Sequence, residues 1–294
     1  MSGDDRTIGG RDSGPSGRRR GVQVIAVTGG KGGVGKSTVS VNVAVGFAAA
    51  GRKTLLLDGD LGLANADIML GITPRHTLAD LISGQRSLEE ILTPVRDNLA
   101  LIAGASGITQ LAGLGEAEHI GIVRAFSSLV DEVDVLVIDT AAGISPGVLQ
   151  LTQAAQHVMV VVCDEPASVT DAYAVIKVLS SEHDLRHFKI VTNMTRPPGS
   201  GRHLFNALVK VTNRFLDVIL EHAVDIPDDD LLRRAIREQR PVIEAYPGSP
   251  SAAAFRNLVR TAGDWDIPTN GRGNIEFFAE RLVSAPVRRM QVIK

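Results

Sequence analysis

Residues 29–38 read GGKGGVGKST. Successive backbone N–H groups can converge on phosphate oxygens only where side chains leave room, so a glycine-rich loop ending in Lys-Ser is a phosphate cradle. Gly30, Gly35, Lys36 and Ser37 satisfy G-x-x-x-x-G-K-[ST], and Gly32, Gly33, Val34 and Thr38 complete the loop. Lys36 is then the lysine that reaches the outer phosphates, and Ser37 the hydroxyl that faces Mg²⁺. Lys31 is surplus to such a grip: it stands where the pattern leaves the residue free.

Outward from the loop, short apolar runs alternate with helix-like segments. The runs VQVIAVT, TLLLD, LALIAG, VDVLVID, HVMVVVCD, FKIVTN and the region of DVILEHAVDI read as strands buried on both faces. Helices are expected over Lys36–Ala50, Glu116–Val130, Ser168–Glu182, Arg202–Leu216, Asp229–Gln239 and Ser251–Gly263. The fold class is therefore α/β, a three-layer P-loop NTPase with a mostly parallel central sheet and helices on both faces. Functional residues should gather beyond the carboxyl ends of the strands.

They do so in the sequence. Asp58 and Asp60 follow the second run, in LLLDGDLGLANAD, and Asp139 ends the fourth, in VLVIDTAAG. An aspartate closing an apolar strand is the form of a carboxylate that holds Mg²⁺ or its bound water in a phosphate-loop enzyme. A chance glycine run would leave these aspartates unexplained. The site read from the residues is a nucleotide and Mg²⁺ site.

Composition bounds the rest. Length and a hydrophobic content of 44% suit one large α/β domain, expected over 22–268, with tails at 1–21 and 269–294. The formal net charge of -2 advertises no nucleic-acid partner. Cys163 stands alone, which excludes a disulfide framework; in its VVVC context it reads as a small buried residue. Residues 1–20, rich in Gly, Ser, Asp and Arg, are expected to be disordered, with Arg18, Arg19 and Arg20 solvated or touching phosphate or lipid. No apolar run reaches the roughly 18 residues of a membrane span.

KGGVGKS with its extra lysine, DGDLG and VIDTAAG together resemble the deviant Walker A ATPases, the MinD/ParA family. DGDLGLANADIMLGI, HTLAD, CDEPASVTDAYAVIK, RFLDVILEHAVDIP and GRGNIEFFAERLV are similar to its FlhG (FleN) subgroup, the MinD-like regulators of flagellar number. The likeness runs from about Val22 to Val283. It implies a slow, Mg²⁺-dependent ATPase of MinD-like fold that forms a homodimer when ATP-bound, with Lys31 reaching the partner's phosphates. The charge logic is independent of the resemblance. Phosphoryl transfer spreads negative charge over the γ-oxygens, so a cation supplied in trans stabilises the transition state. Two such lysines facing each other without nucleotide repel, and ATP gives each an anionic partner.

The resemblance further implies that Asp60 orients the attacking water and that Asp58 either senses the metal or is structural. By the same resemblance Asp139 acts through a metal-bound water, and Gly143 offers its N–H to the γ-phosphate. Asn193 is either the adenine-recognising asparagine or a turn residue, and Pro227 and Asp228 belong to the base-pocket wall. Asp171 lies at the dimer face or is a solvated helix position.

At the C-terminus, Ile275, Phe278 and Leu282 share one helical face with Val283 beside it, and Arg288, Arg289 and Lys294 follow. That amphipathic segment either grips anionic lipid, as MinD relatives do, or packs on the domain. The expected location is cytoplasmic, either free or peripheral on the inner face of the cytoplasmic membrane. Three functions follow: a flagellar-number regulator, a ParA-type partition ATPase on DNA, and a metabolic ATP-dependent enzyme. The first is preferred, with an FlhF-type GTPase, a FleQ-type transcriptional activator or flagellar switch proteins as partners. Direct DNA binding is not expected: the arginines at 233, 234, 237 and 240 have the acidic residues 228–230 alongside.

Overall fold

The computed structural model describes residues 21–60, 65–104, 125–126, 129, 132–197 and 199–267. The expected N-terminal tail, the C-terminal amphipathic segment with Ile275, Phe278, Leu282 and Val283, and most of the helix expected over 116–130 lie outside the described residues.

The strands are β1 (Gln23–Thr28), β2 (Thr54–Gly59), β3 (Leu92–Arg96), β4 (Leu99–Ile102), β5 (Val135–Thr140), β6 (His157–Cys163), β7 (His187–Thr195) and β8 (Ile219–Pro227). They form one sheet in the order β3-β4-β2-β5-β1-β6-β7-β8, with every pair parallel except β3–β4. The helices are α1 (Lys36–Ala49), α2 (Ala66–Leu70), α3 (Leu78–Ile82), α4 (Leu88–Ile91), α5 (Pro146–Gln153), α6 (Pro166–His183), α7 (Ser200–Phe215), α8 (Asp230–Arg237), α9 (Val242–Ala245) and α10 (Pro250–Gly263).

Every residue of β1, β2 and β5 is buried, because helices cover both faces of the sheet. The pleat sends alternate side chains to opposite cores. Ile25, Val27, Leu56, Val137 and Val161 pack with Val39, Val43 and Phe47 of α1 and Phe255 and Leu258 of α10. On the other face, Val158, Val160, Phe188 and Ile190 meet Ile176 and Leu179 of α6 and Leu208 of α7. Each fully buried aliphatic side chain contributes about 1.5–3 kcal/mol. α1 is apolar nearly all round, as a helix wedged between the sheet and α10 must be. Ser249 accepts from Ala252 N at 3.1 Å and Pro250 takes the first helical position, which fixes where α10 begins.

The chain leaves central β1 for β2 on one side and later returns to pair β6 on the other. Parallel strands on both flanks of β1 splay their connections apart, so a crevice opens at its carboxyl end. β3, absent from the sequence reading, is an antiparallel edge strand. The helices α2, α3, α4, α5 and α9 were likewise not anticipated.

Candidate nucleotide site

Residues 29–35 fill the turn between β1 and α1. Gly35, the N-cap of α1, has φ +95°, a left-handed backbone that suits only glycine here. Its place at the N-terminus of a 14-residue helix leaves the first-turn N–H groups without intrahelical partners, aimed at the crevice. At Gly30 the loop lies directly on the backbone of Asp171 in α6: a Cβ there would collide with the Asp171 carbonyl. Nothing stands within 4 Å of a Cβ at Gly32, so that limb of the loop faces open space.

The two lysines of the loop have separate environments. Lys36 is 7% exposed; its Nζ lies 3.4 Å from the Lys31 carbonyl oxygen, and burial lowers its pKa against the opposing pull of the Asp139 and Asp60 charges. Lys31 points out to the rim, where its ammonium forms an ion pair with Glu165, just before α6. The hydrogen bond to Glu165 and that carboxylate's charge raise the Lys31 pKa, with smaller contributions from Cys163 and Asp171.

Asp58 and Asp139 are register partners at the ends of β2 and β5. Asp139 is fully buried, and burial pushes its carboxyl up to about 7; the Asp58 charge adds to the rise, while the Ser37 and Ser40 hydroxyls and Lys36 oppose it. Ser40 Oγ donates to Asp139 Oδ1 at 2.9 Å. Asp139 Oδ2 is buried with no hydrogen bond of normal geometry; Ser37 approaches the carboxylate without completing one. Burial raises Asp58 to about 6, against three backbone N–H groups that hold its charged form: Asp60 at 3.0 Å, and Asn65 and Ala66 at 3.2 Å. Those bonds tie the Asp60 backbone and the start of α2 to the Asp58 carboxylate.

A buried, acceptor-only oxygen beside a serine hydroxyl at the foot of a phosphate loop suits a hard divalent cation that keeps most of its own waters. The residues present therefore fit Mg²⁺, with Ser37 and Asp139 as the oxygen donors.

Other expected residues sit on the same rim. Gly143 follows β5, and its N–H donates to the Gly29 carbonyl at 3.0 Å, so in this conformation the group is already occupied. Asn193, 1% exposed at the end of β7, is no turn residue: its Nδ2 donates to Val34 O at 2.8 Å, and its Oδ1 is buried without a partner. Pro227 lies beside it, paired in register with Thr195 at the end of β8. The Asp228 carboxylate is engaged by both Arg196 and Arg233, so only its backbone is left for a base-pocket wall. Asp229 accepts from Leu231 N at 2.9 Å and from Ser251 N and Oγ at 3.1 and 2.6 Å, binding this loop to α10. Arg233 and Arg234 are spent on Asp228, Asp230 and Glu238, which removes them from any free basic patch.

The sequence reading missed Ser40, which holds Asp139, and Glu165, which holds Lys31. Glu165 had a usable signal: it stands two residues past the carboxyl end of β6, in the crevice-lining zone of an open α/β sheet.

A mostly parallel sheet, a glycine-rich loop at a helix N-terminus and paired carboxylates at neighbouring strand ends define a P-loop NTPase. The chain belongs to the ParA family, described as NUBPL iron-transfer P-loop NTPase, whose model matches residues 21–262. It is 49% identical over 265 residues to the antiactivator FleN of Pseudomonas aeruginosa, covering 90% of this chain and 95% of that protein. It is 34% identical over 269 residues to the flagellum site-determining protein YlxH of Helicobacter pylori, covering 89% and 90%. Among solved structures, the septum site-determining protein MinD of Pyrococcus horikoshii, complexed with Mg-ADP, superposes with a TM-score of 0.65 at 25% identity, over 83% of this chain and 96% of that one.

Proposed function

We propose that this protein is an ATP-driven dimerising switch that regulates flagellar number or placement through protein partners. The observation that carries the switch is the division of labour between the two loop lysines. Lys36 is buried inside the cradle beside Asp139, whereas the Lys31 side chain projects outward and its ammonium pairs with Glu165. An exposed cation on the rim of the crevice supports a role toward a neighbour's triphosphate.

In the ATP complex, the α1 N-terminus and Lys36 bind the phosphates, and Ser37 and Asp139 hold Mg²⁺. The metal, when bound, neutralises charge on the triphosphate. Asp60, whose backbone N–H is held by the Asp58 carboxylate, positions the attacking water. The Gly143 N–H must leave Gly29 to meet a γ-phosphate, which makes the segment after β5 a sensor of whether that phosphate is present. Asn193 and the 227–228 backbone form the base pocket, the Asn193 Oδ1 being a free acceptor for an exocyclic amine. Lys31 from a second copy completes the site, so turnover waits on association.

The flagellar role is supported by likeness to FleN, named an antiactivator, and YlxH, named a flagellum site-determining protein. An antiactivator acts on a transcriptional activator, so a FleQ-type partner is favoured; an FlhF-type GTPase and flagellar switch proteins remain further candidates, with membrane lipid as a platform.

Flagella counted per cell after deletion, and after Asp60→Ala replacement, test this reading. Deletion should produce extra flagella, and Asp60→Ala should trap ATP-bound dimers and suppress them. Unchanged flagellar number with loss of chromosomes would contradict it and favour partition.

A further inference from the structure

We infer that Glu165 is a positioning residue that parks Lys31 within its own protomer and thereby sets the threshold for ATP-driven association. This rests on the reading that Lys31 serves a neighbour's triphosphate.

The parking contact is built into a fixed frame. Glu165 N donates to Cys163 O at 2.7 Å, Ser168 N donates to Glu165 O at 2.9 Å, and the Ser168 hydroxyl donates to Cys163 N at 3.0 Å. These bonds shape the turn between β6 and α6, and Gly30 packs the lysine-bearing loop on α6 at Asp171, about one and a half turns further on. Lys31 is 40% exposed and Glu165 55% exposed, so their ion pair can open by rotation alone.

Opening it has two costs for association. Lys31 exchanges one carboxylate for a triphosphate, so only the difference between the two attractions favours the dimer. Glu165 is then left with an uncompensated negative charge close to the anionic nucleotide at the same rim. An exposed pair is a weak latch, and weakness suits a threshold: it holds back a lone protomer without preventing the ATP-loaded pair. Asp171 lies near enough to favour the Lys31 charge and offers the lysine a second, more distant anion in cis.

Glu165→Gln removes the charge while keeping the shape of the side chain. The experiment measures ATP turnover per subunit against protein concentration at saturating ATP for wild type, Glu165→Gln, Lys31→Ala and the double variant. The expected result is a midpoint for Glu165→Gln at roughly two- to tenfold lower concentration than wild type, given an exposed pair in each of two protomers. Read as the ATP-dependent dimer fraction by light scattering, since Lys31→Ala does not turn over, the effect should vanish in the Lys31→Ala background, which a merely structural role for Glu165 would not predict. A Glu165→Gln midpoint that is unchanged or shifted to higher concentration, with Lys31→Ala still inactive, overturns the parking role and leaves the switch standing. Lys31→Ala behaving as wild type overturns the switch itself, and the parking role with it.

Discussion

Asp58 and Asp139 stand side by side, register partners on neighbouring strands, and burial lifts both carboxyls far above the usual carboxylate range, to about 6 and about 7. Two like charges at adjacent strand ends are tolerable where a cation is meant to sit, and they are a liability without one. The site is organised around ligands, at some expense to the stability of the nucleotide-free fold.

The first prediction follows from that expense. Both groups bind a proton more tightly folded than unfolded, so their contribution is most favourable below the unfolded pKa of about 3.9 and is lost as pH rises through about 6 to 7. Asp139→Asn removes the larger part. In thermal unfolding without nucleotide, the variant should be more stable than wild type at pH 8, with the advantage on the order of 1–3 kcal/mol smaller at pH 5. An advantage independent of pH would mean that Asp139 is not held protonated by burial.

A second prediction concerns the two sides of the phosphate loop. Gly30→Ala places a methyl group against the backbone of Asp171, so it should cost about 1–3 kcal/mol of stability and weaken nucleotide binding. Gly32→Ala meets nothing within 4 Å and should leave stability within about 0.5 kcal/mol. Equal stabilities for the two variants in chemical denaturation would contradict the close approach of loop and α6.

His157 supplies a third. Burial pushes its imidazole down to about 4, assisted by the Lys189 charge and opposed by Asp266 and Glu221; the ring lies 5.1 Å from that of Trp265, and Nε2 has no partner. A depressed histidine costs stability as pH falls from about 6.5 toward about 4, the opposite slope to that of the aspartates. Its ring protons should titrate near pH 4 in NMR spectra of the folded protein. A midpoint near 6.5 would contradict its burial against Trp265.

What was legible in the sequence divides along physical lines. Strands buried on both faces must be apolar at every position, so VQVIAVT, TLLLD, VDVLVID and HVMVVVCD announced themselves and were found within a residue or two. β3 did not: LTPVR is a half-exposed edge strand, and Pro94 argues against a central strand. α2, α3, α4 and α9 span too few residues for a helical period to show. α5 had a start signal in Ser145-Pro146 that the strand-by-strand reading passed over. The phosphate loop and the strand-end aspartates were legible because each motif is local. The Lys31–Glu165 pair joins positions 134 residues apart, and only the adjacency of β1 and β6 brings them together.

The most direct test of the switch is the ATP hydrolysis rate per subunit of the unaltered protein, followed across a dilution series at saturating nucleotide. A cation lent between copies predicts a specific rate that climbs with protein concentration and levels off once dimers predominate. A specific rate that stays constant from the most dilute sample to the most concentrated would contradict it.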